Sequence, residues 1–163
     1  MVTARTIAET VTDPELPMLT LAELGVLRDV REMSGHVEVT ITPTYTGCPA
    51  LDAMRDDLRA RLTDAGYADV QIRTTLDPPW TTDWITEPGR RKLRAAGISP
   101  PDAAPQRRRP GPIPLTLGPT RRIACPRCGS SDTVELSRFG ATACKSLRRC
   151  DACHEPFEHF KEI

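Results

Sequence analysis

Two Cys-x-x-Cys pairs constrain the fold of this chain more than any other feature. The first pair is Cys125 and Cys128, and the second is Cys150 and Cys153. Each pair can form a tight knuckle that presents two thiolates to one ion, and two knuckles complete the tetrahedral four-sulfur shell that Zn²⁺ prefers. We therefore predict a small zinc β-ribbon over residues 120–163, with short strands over 133–138 and 155–163 and with zinc as a structural cofactor.

Alternatives to structural zinc follow from the same spacing. A four-sulfur shell also holds iron, so zinc is the preferred metal and not the sole candidate. A disulfide-redox role fits less well, because neither pair opens a helix beside a βαβ pattern. Cys144 lies between the pairs and is a fifth cysteine in this region. It is interpreted either as a packed thiol or as an exchangeable ligand of a second site.

Hydrophobic periodicity predicts a separate α+β domain over residues 1–98. Apolar residues recur at helical spacing in some segments and alternate in others, which indicates the order helix, strand, strand, helix, strand, helix (αββαβα). A strand, a crossover helix and a further strand pair in parallel, so a small mixed sheet with packed helices results. The predicted elements are helices over 3–12, 50–65 and 86–97 and strands over 24–31, 36–42 and 69–76. Seven prolines within residues 99–119 indicate an extended linker to the ribbon.

The segment Thr44–Ala50 joins the second predicted strand to the second predicted helix and contains Cys48. The pattern places Cys48 at or next to the N-cap, with Pro49 at the first helical position. Free backbone N–H groups and the helix dipole would stabilise a thiolate there, which favours a reactive or metal-contacting cysteine. The alternative is a small buried core residue.

Two further segments allow a structural and a functional interpretation. Asp13 and Glu15 belong to a Pro-containing turn, where capping and turn formation are the preferred roles for their carboxylates. Trp80 and Trp84 are expected to pack the last helix against the first domain. The alternative for the tryptophans is an exposed aromatic docking patch.

Composition argues against several classes of partner. The chain has 22 basic and 22 acidic residues and only 4% aromatic residues, so we expect no nucleic-acid partner. The first twelve residues lack the apolar core of a signal peptide, and no apolar run reaches the roughly 18 residues that span a bilayer. We therefore expect a cytoplasmic protein without a membrane partner. No catalytic triad, phosphate-binding loop or HExxH motif is present, so we expect no enzyme activity.

Three short motifs of the first domain resemble a known family. Asp13-Pro14-Glu15-Leu16-Pro17, Leu24-Gly25-Val26 and Thr46-Gly47-Cys48-Pro49 are similar to the metal–sulfur cluster assembly domain of SufT-like proteins and cytosolic iron–sulfur targeting factors. The C-terminal segments Cys125–Gly129, Phe139-Gly140, Ala143–Lys145 and Glu155–Phe157 add a ribbon. The two halves in this order resemble the phenylacetate-degradation protein D family.

The resemblance implies an accessory protein of the phenylacetyl-CoA ring-epoxidase system in aerobic phenylacetate catabolism. It implies delivery of an iron–sulfur cluster or iron to the di-iron oxygenase or the iron–sulfur reductase component. Cys48 would be the cluster-handling thiol, holding its cargo transiently, with Asp13, Glu15, Thr46 and Cys144 as supporting residues. The alternative is a structural or docking subunit of the oxygenase complex that transfers no metal.

Overall fold

The computed structural model describes residues 3–102 and 122–163, which divide into two compact units. The first unit is Met1–Ala96 and the second is Gly97–Ile163. Residues 103–119 of the predicted linker lie outside the described residues, so the linker stays a prediction. Within the described residues, no helix combines the length and apolar character that crossing a membrane requires.

The first unit has the predicted α+β class and αββαβα order. Its helices are shorter than the sequence pattern suggested, because α1 ends at Ala8 and Thr12 instead forms a bridge with Thr20. A short 3₁₀ helix, which was not predicted, precedes the last helix. The elements are α1 (Ala4–Ala8), β1 (Leu27–Met33), β2 (His36–Ile41), α2 (Leu51–Asp64), β3 (Asp69–Thr74), the 3₁₀ helix (Thr82–Trp84) and α3 (Glu87–Ala95).

Strand β2 is the centre of a three-stranded mixed sheet. It pairs antiparallel with β1 across the Ser34-Gly35 turn, where Gly35 has a φ of +88°. It pairs parallel with β3 after the crossover through α2, as expected for this connection. One face of β2 is buried, and α2 contributes buried side chains at helical spacing to the core. These core residues are Val37, Val39, Ile41, Met54, Leu58 and Leu62.

The two tryptophans differ in exposure, and the alternative of an exposed docking patch does not hold for Trp80. Trp80 is only 4% exposed, and its indole N–H donates to the Leu24 carbonyl at 3.1 Å. Trp84 is half-buried, with the Arg28 guanidinium 3.5 Å from its ring centroid. The segment before α3 is therefore attached to the segment before β1 through a buried aromatic ring, as the packing interpretation expected.

Replacing Trp80 tests this attachment. We expect Trp80→Phe to lower the free energy of unfolding of the first unit by about 2 kcal/mol, because it removes a buried hydrogen bond and part of a large buried side chain. Urea unfolding followed by circular dichroism measures the change. Trp84→Phe is the matched control and should cost less, since its ring can stay beneath Arg28. Equal costs for the two variants would contradict this assignment.

The second unit is a four-stranded sheet in the order β4-β7-β6-β5. Strands β5 and β7 were predicted, whereas β4 and the inner strand β6 were missed. Ile98 and Ser99, which we assigned to the end of the first domain and the start of the linker, pair with β7 as β4. The strands are β4 (Ile98–Ser99), β5 (Thr133–Ser137), β6 (Lys145–Cys150) and β7 (Pro156–Phe160).

The polar composition of β6 explains why it was missed. Lys145 and Ser146 are both buried, at 4% and 0% exposure. The Lys145 Nζ lies 2.7 Å from an oxygen of Glu158 on the neighbouring β7, so its charge is paired inside the sheet. A buried lysine contradicts the usual alternation of apolar and polar residues, and only the cross-strand partner makes it acceptable.

Candidate metal-handling sites

The four predicted zinc ligands meet in space. The Sγ atoms of Cys125, Cys128, Cys150 and Cys153 all lie within 4.8 Å of one another. The Cys125 and Cys153 sulfurs are 3.8 Å apart, and those of Cys128 and Cys150 are 3.5 Å apart. Tetrahedral zinc with Zn–S bonds of about 2.3 Å requires sulfurs about 3.8 Å apart. The four thiols therefore fit a structural zinc site with no open coordination position.

Both Cys-x-x-Cys knuckles are followed by a residue with a positive φ. The residue after each Cys-x-x-Cys pair adopts a left-handed conformation, with φ of +74° at Gly129 and 60° at His154. In the first knuckle the Gly129 N–H donates to the Cys125 carbonyl at 2.9 Å. This conformation has little steric cost for glycine, and histidine is among the other residues that tolerate it. His154 thus has a role in the turn and is not among the clustered metal ligands.

Backbone donors prepare the second knuckle for a thiolate. The Cys153 and Ala152 N–H groups hydrogen-bond the Cys150 sulfur and lower the pKa of Cys150 to about 7, against the opposing effect of burial. At Cys153 the Glu155 N–H acts in the same direction, but burial and the three neighbouring sulfurs together raise its pKa to about 12. Four crowded thiols thus cannot all ionise without a cation. Zinc supplies the positive charge that stabilises all four thiolates.

Among the described residues, the apolar core at this end of the ribbon is small. Its buried core consists of Cys125, Cys150 and Phe157, with Ile123 packed against it. Two of these four residues are zinc ligands themselves. The metal site therefore shares residues with the core at this end of the ribbon, and binding of the metal contributes directly to folding.

Cys48 lies in the loop after the central strand β2, and its thiol is half-buried rather than sealed in the core. The predicted position at the helix start is wrong by two residues. Helix α2 begins at Leu51 with Ala50 as its N-cap, and Pro49 precedes the helix. Cys48 instead belongs to a turn in which its N–H donates to the Tyr45 carbonyl at 3.3 Å. Since the dipole acts within the first turn of a helix, it provides less support for a thiolate here than we expected.

The buried carboxylate of the acidic turn near the N-terminus accepts hydrogen bonds from the backbone of the same turn. Asp13 is 6% exposed, and its Oδ1 accepts hydrogen bonds from the N–H groups of Glu15 and Leu16 at 2.8 and 2.9 Å. This is the turn-forming role that the sequence favoured. The Glu15 and Thr46 side chains are exposed. None of the three is brought into a described metal-ligating cluster.

Cys144 is separate from the four-cysteine site. Its half-buried sulfur lies 3.1 Å from the Thr142 hydroxyl, in the segment before β6, and its carbonyl accepts from the Lys161 N–H at 2.9 Å. It is not one of the clustered ligands found among the described residues. The packed-thiol interpretation is consistent with this position, and a ligand role for Cys144 stays a prediction.

Two family models match the chain, and each covers one of the two candidate sites. Residues 4–73 match the family model described as "Iron-sulfur cluster assembly protein", and residues 109–161 match "PaaD zinc beta ribbon domain". Cys48 falls within the first match, and all four clustered cysteines fall within the second. The two predicted halves and their order along the chain are thereby confirmed.

Similar proteins are found for nearly the whole chain and for about half of it. A protein of Escherichia coli K12, named as the D subunit of "Putative 1,2-phenylacetyl-CoA epoxidase", is 44% identical over 93% of this chain and 86% of its own length. An "Fe-S protein maturation auxiliary factor" of Porphyromonas gingivalis is 36% identical over 48% of this chain and 75% of its own. The crystal structure of a DUF59 domain from Bacillus anthracis superposes with a TM-score of 0.51 at 25% identity, covering 55% of this chain and 87% of that one.

Proposed function

The chain belongs to the family of the phenylacetyl-CoA epoxidase D subunit, and from this membership we propose that it is a non-catalytic maturation protein of that system. In this role it carries iron or an iron–sulfur cluster to the di-iron oxygenase component or the iron–sulfur reductase component. We place this activity in the cytoplasm. The zinc ribbon is structural and supports recognition of the recipient protein.

One observation supports the proposal more than any other. A half-buried cysteine lies in an irregular loop at the end of the central strand, inside the segment that matches an iron–sulfur assembly family. A core cysteine would be sealed by apolar side chains, whereas Cys48 is followed by exposed Pro49 and preceded by exposed Gly47. These exposed neighbours support the proposal that a ligand of a second protein approaches the Cys48 sulfur.

The transfer step we propose is ligand exchange without a change of oxidation state. A thiol of the recipient loses its proton, and its sulfur forms a new bond to the iron held by Cys48. The bond between iron and the Cys48 sulfur breaks, and the released thiolate takes up the proton. The step resembles thiol–disulfide exchange in needing an accessible sulfur at each end. Asp13 supports it indirectly, by holding the turn of residues 13–16 in place.

Removing the Cys48 sulfur tests this proposal in the cell. With Cys48→Ser as the sole copy, we expect the iron content of the recipient component to fall at least about fivefold, because a serine hydroxyl is a poor iron ligand at neutral pH. The fold and the zinc content of the variant should not change, since Cys48 lies outside the zinc site. Metal analysis of the anaerobically purified recipient and of the variant measures both quantities.

Leu76→Ser is the control, because it introduces a serine at an exposed side chain of the same unit to which no role in transfer is assigned. We expect recipient iron to be near the wild-type level in that strain. Normal iron with Cys48→Ser would contradict the proposal and would favour the alternative of a protein that only docks. An equal loss with both variants would also contradict the specific role given to Cys48.

A further inference from the structure

Exposed apolar side chains are concentrated on strand β5 of the ribbon and directly after it. The described residues include six large apolar side chains that are exposed, and three of them fall within residues 134–139. These are Val134 at 40%, Leu136 at 51% and Phe139 at 64% exposure. Such a cluster in so small a domain is unusual unless it binds something. We call these three side chains, together with Arg138 and Lys161, the β5 patch.

Strand β5 is also the outer strand of the sheet in the part of the chain that the structure describes. The order β4-β7-β6-β5 leaves one side of its backbone facing away from β6. An outer strand with exposed apolar side chains is a template for pairing with a further strand. Leu136 is the extra residue of a bulge between Glu135 and Ser137, and bulges redirect a side chain at a sheet edge.

The charges around the patch specify the kind of partner. Four cations of the described ribbon pair with carboxylates, as in Arg127–Glu155 at 3.2 Å and Arg149–Asp151 at 2.9 Å, whereas exposed Arg122 does not. Arg138 and Lys161 form no ion pair with a described residue. The Lys161 Nζ lies 4.7 Å from the Phe139 ring centroid and donates to the Arg138 carbonyl at 3.1 Å. The Lys161 ammonium thus lies near the most exposed aromatic ring of the described ribbon, and Arg138 precedes that ring in the chain.

We propose that the β5 patch binds an extended segment of the recipient protein that carries both apolar and acidic side chains. The segment would add a strand beside β5, its apolar side chains would cover Leu136 and Phe139, and its carboxylates would approach Arg138 and Lys161. This inference rests on the proposed function, because it identifies the surface through which the recipient is recognised. Nucleic acid is a less suitable partner for this surface. Residues 119–163 carry 8 basic and 6 acidic side chains, and a zinc ion bound by four thiolates adds two negative charges. The ribbon therefore has no net positive charge to attract a phosphate backbone.

Binding of the purified oxygenase and reductase components to the full-length, zinc-loaded chain tests the inference. We expect the double variant Leu136→Ser/Phe139→Ser to bind its component at least about tenfold more weakly, a loss typical of a hot spot. Arg138→Glu should also weaken binding and reduce its dependence on salt. Hydrogen exchange of the wild-type complex should show new protection of amides within Thr133–Ser137.

Leu76→Ser is the matched control, since Leu76 is 49% exposed and lies in the other unit. It should bind like wild type. Because the substituted side chains are exposed, all variants should retain one zinc and the wild-type circular dichroism spectrum. The patch variants should still deliver iron when the protein concentration is raised enough to restore binding.

Several results would overturn the inference. These are wild-type affinity in both patch variants, unchanged exchange in β5, or binding of neither component by the wild-type chain. Patch-dependent binding to anionic lipid vesicles or to DNA in place of the components would do the same. If Cys48→Ser abolishes iron delivery while the patch variants bind and deliver normally, the docking surface is wrong and the proposed function stands. If Cys48→Ser delivers iron normally, the proposed function fails whatever the patch variants do.

Discussion

Cys150→Ser is expected to unfold the ribbon and leave the first unit folded. Cys150 is fully buried, ends strand β6 and is both a zinc ligand and part of the small core. Structural zinc contributes about 10–16 kcal/mol to folding in isolated zinc-finger peptides, whereas a whole small domain is stable by only about 5–15 kcal/mol. Without the fourth thiolate, the remaining core cannot replace that contribution.

Metal analysis and hydrogen exchange measure this effect. We expect zinc to fall from one equivalent to nearly none and the amides of β5, β6 and β7 to lose protection, while those of β2 and α2 remain protected. Cys144→Ser, which lies outside the four-sulfur cluster, should retain one zinc and a folded ribbon. A Cys150→Ser variant that kept a full equivalent of zinc and a protected β6 would contradict this account of the site.

Gly25→Ala is expected to destabilise the first unit by about 3 kcal/mol or more. Gly25 has a φ of +74°, and an added Cβ would lie 2.5 Å from the Trp84 Cβ and 2.7 Å from the Trp84 carbonyl oxygen. The left-handed conformation costs about 1–2 kcal/mol for alanine, and forcing backbone atoms apart adds about 1–3 kcal/mol. For a domain of this size the midpoint of thermal unfolding should fall by roughly 10–20 °C.

Gly35→Ala separates the two causes. Gly35 also has a positive φ, of +88°, but an added Cβ would meet nothing within 4 Å. Its cost should therefore be the conformational part alone, about 1–2 kcal/mol. Thermal and urea unfolding of both variants gives the comparison. A Gly25→Ala variant no less stable than Gly35→Ala would show that the contact with Trp84 does not constrain the fold.

Local patterns in the sequence predicted most of the architecture. Alternation along β2 and helical spacing along α2 identified the core of the first unit. The order strand, helix, strand then predicted that β2 and β3 pair in parallel. The spacing of the cysteines predicted the zinc site before any geometry was known. These features could be predicted because each depends on residues that are close together in the chain or on a rigid chemical preference of the metal.

The features that were missed depend on distant partners. Burial of Lys145 requires Glu158, and the conformation of Gly25 is required by Trp84, 59 positions further along the chain. Packing of Trp80 was expected, but the Leu24 carbonyl that accepts its indole N–H lies 56 positions earlier in the chain and was not identified. The position of Cys48 was misjudged because Pro49 can begin a helix, whereas here it belongs to the turns that precede one. The metal-handling role of Cys48 stays a prediction.

Direct transfer of iron in vitro tests the central claim most directly. The wild-type chain and its Cys48→Ser variant are loaded anaerobically with ⁵⁷Fe and sulfide and separated from free metal. They are then mixed with the iron-free oxygenase and reductase components in the presence of a chelator for free iron. The account predicts ⁵⁷Fe in one component with the wild-type chain and none above background with Cys48→Ser, whose ribbon keeps its zinc. Equal transfer by both proteins, or no iron retained by either after loading, would contradict it.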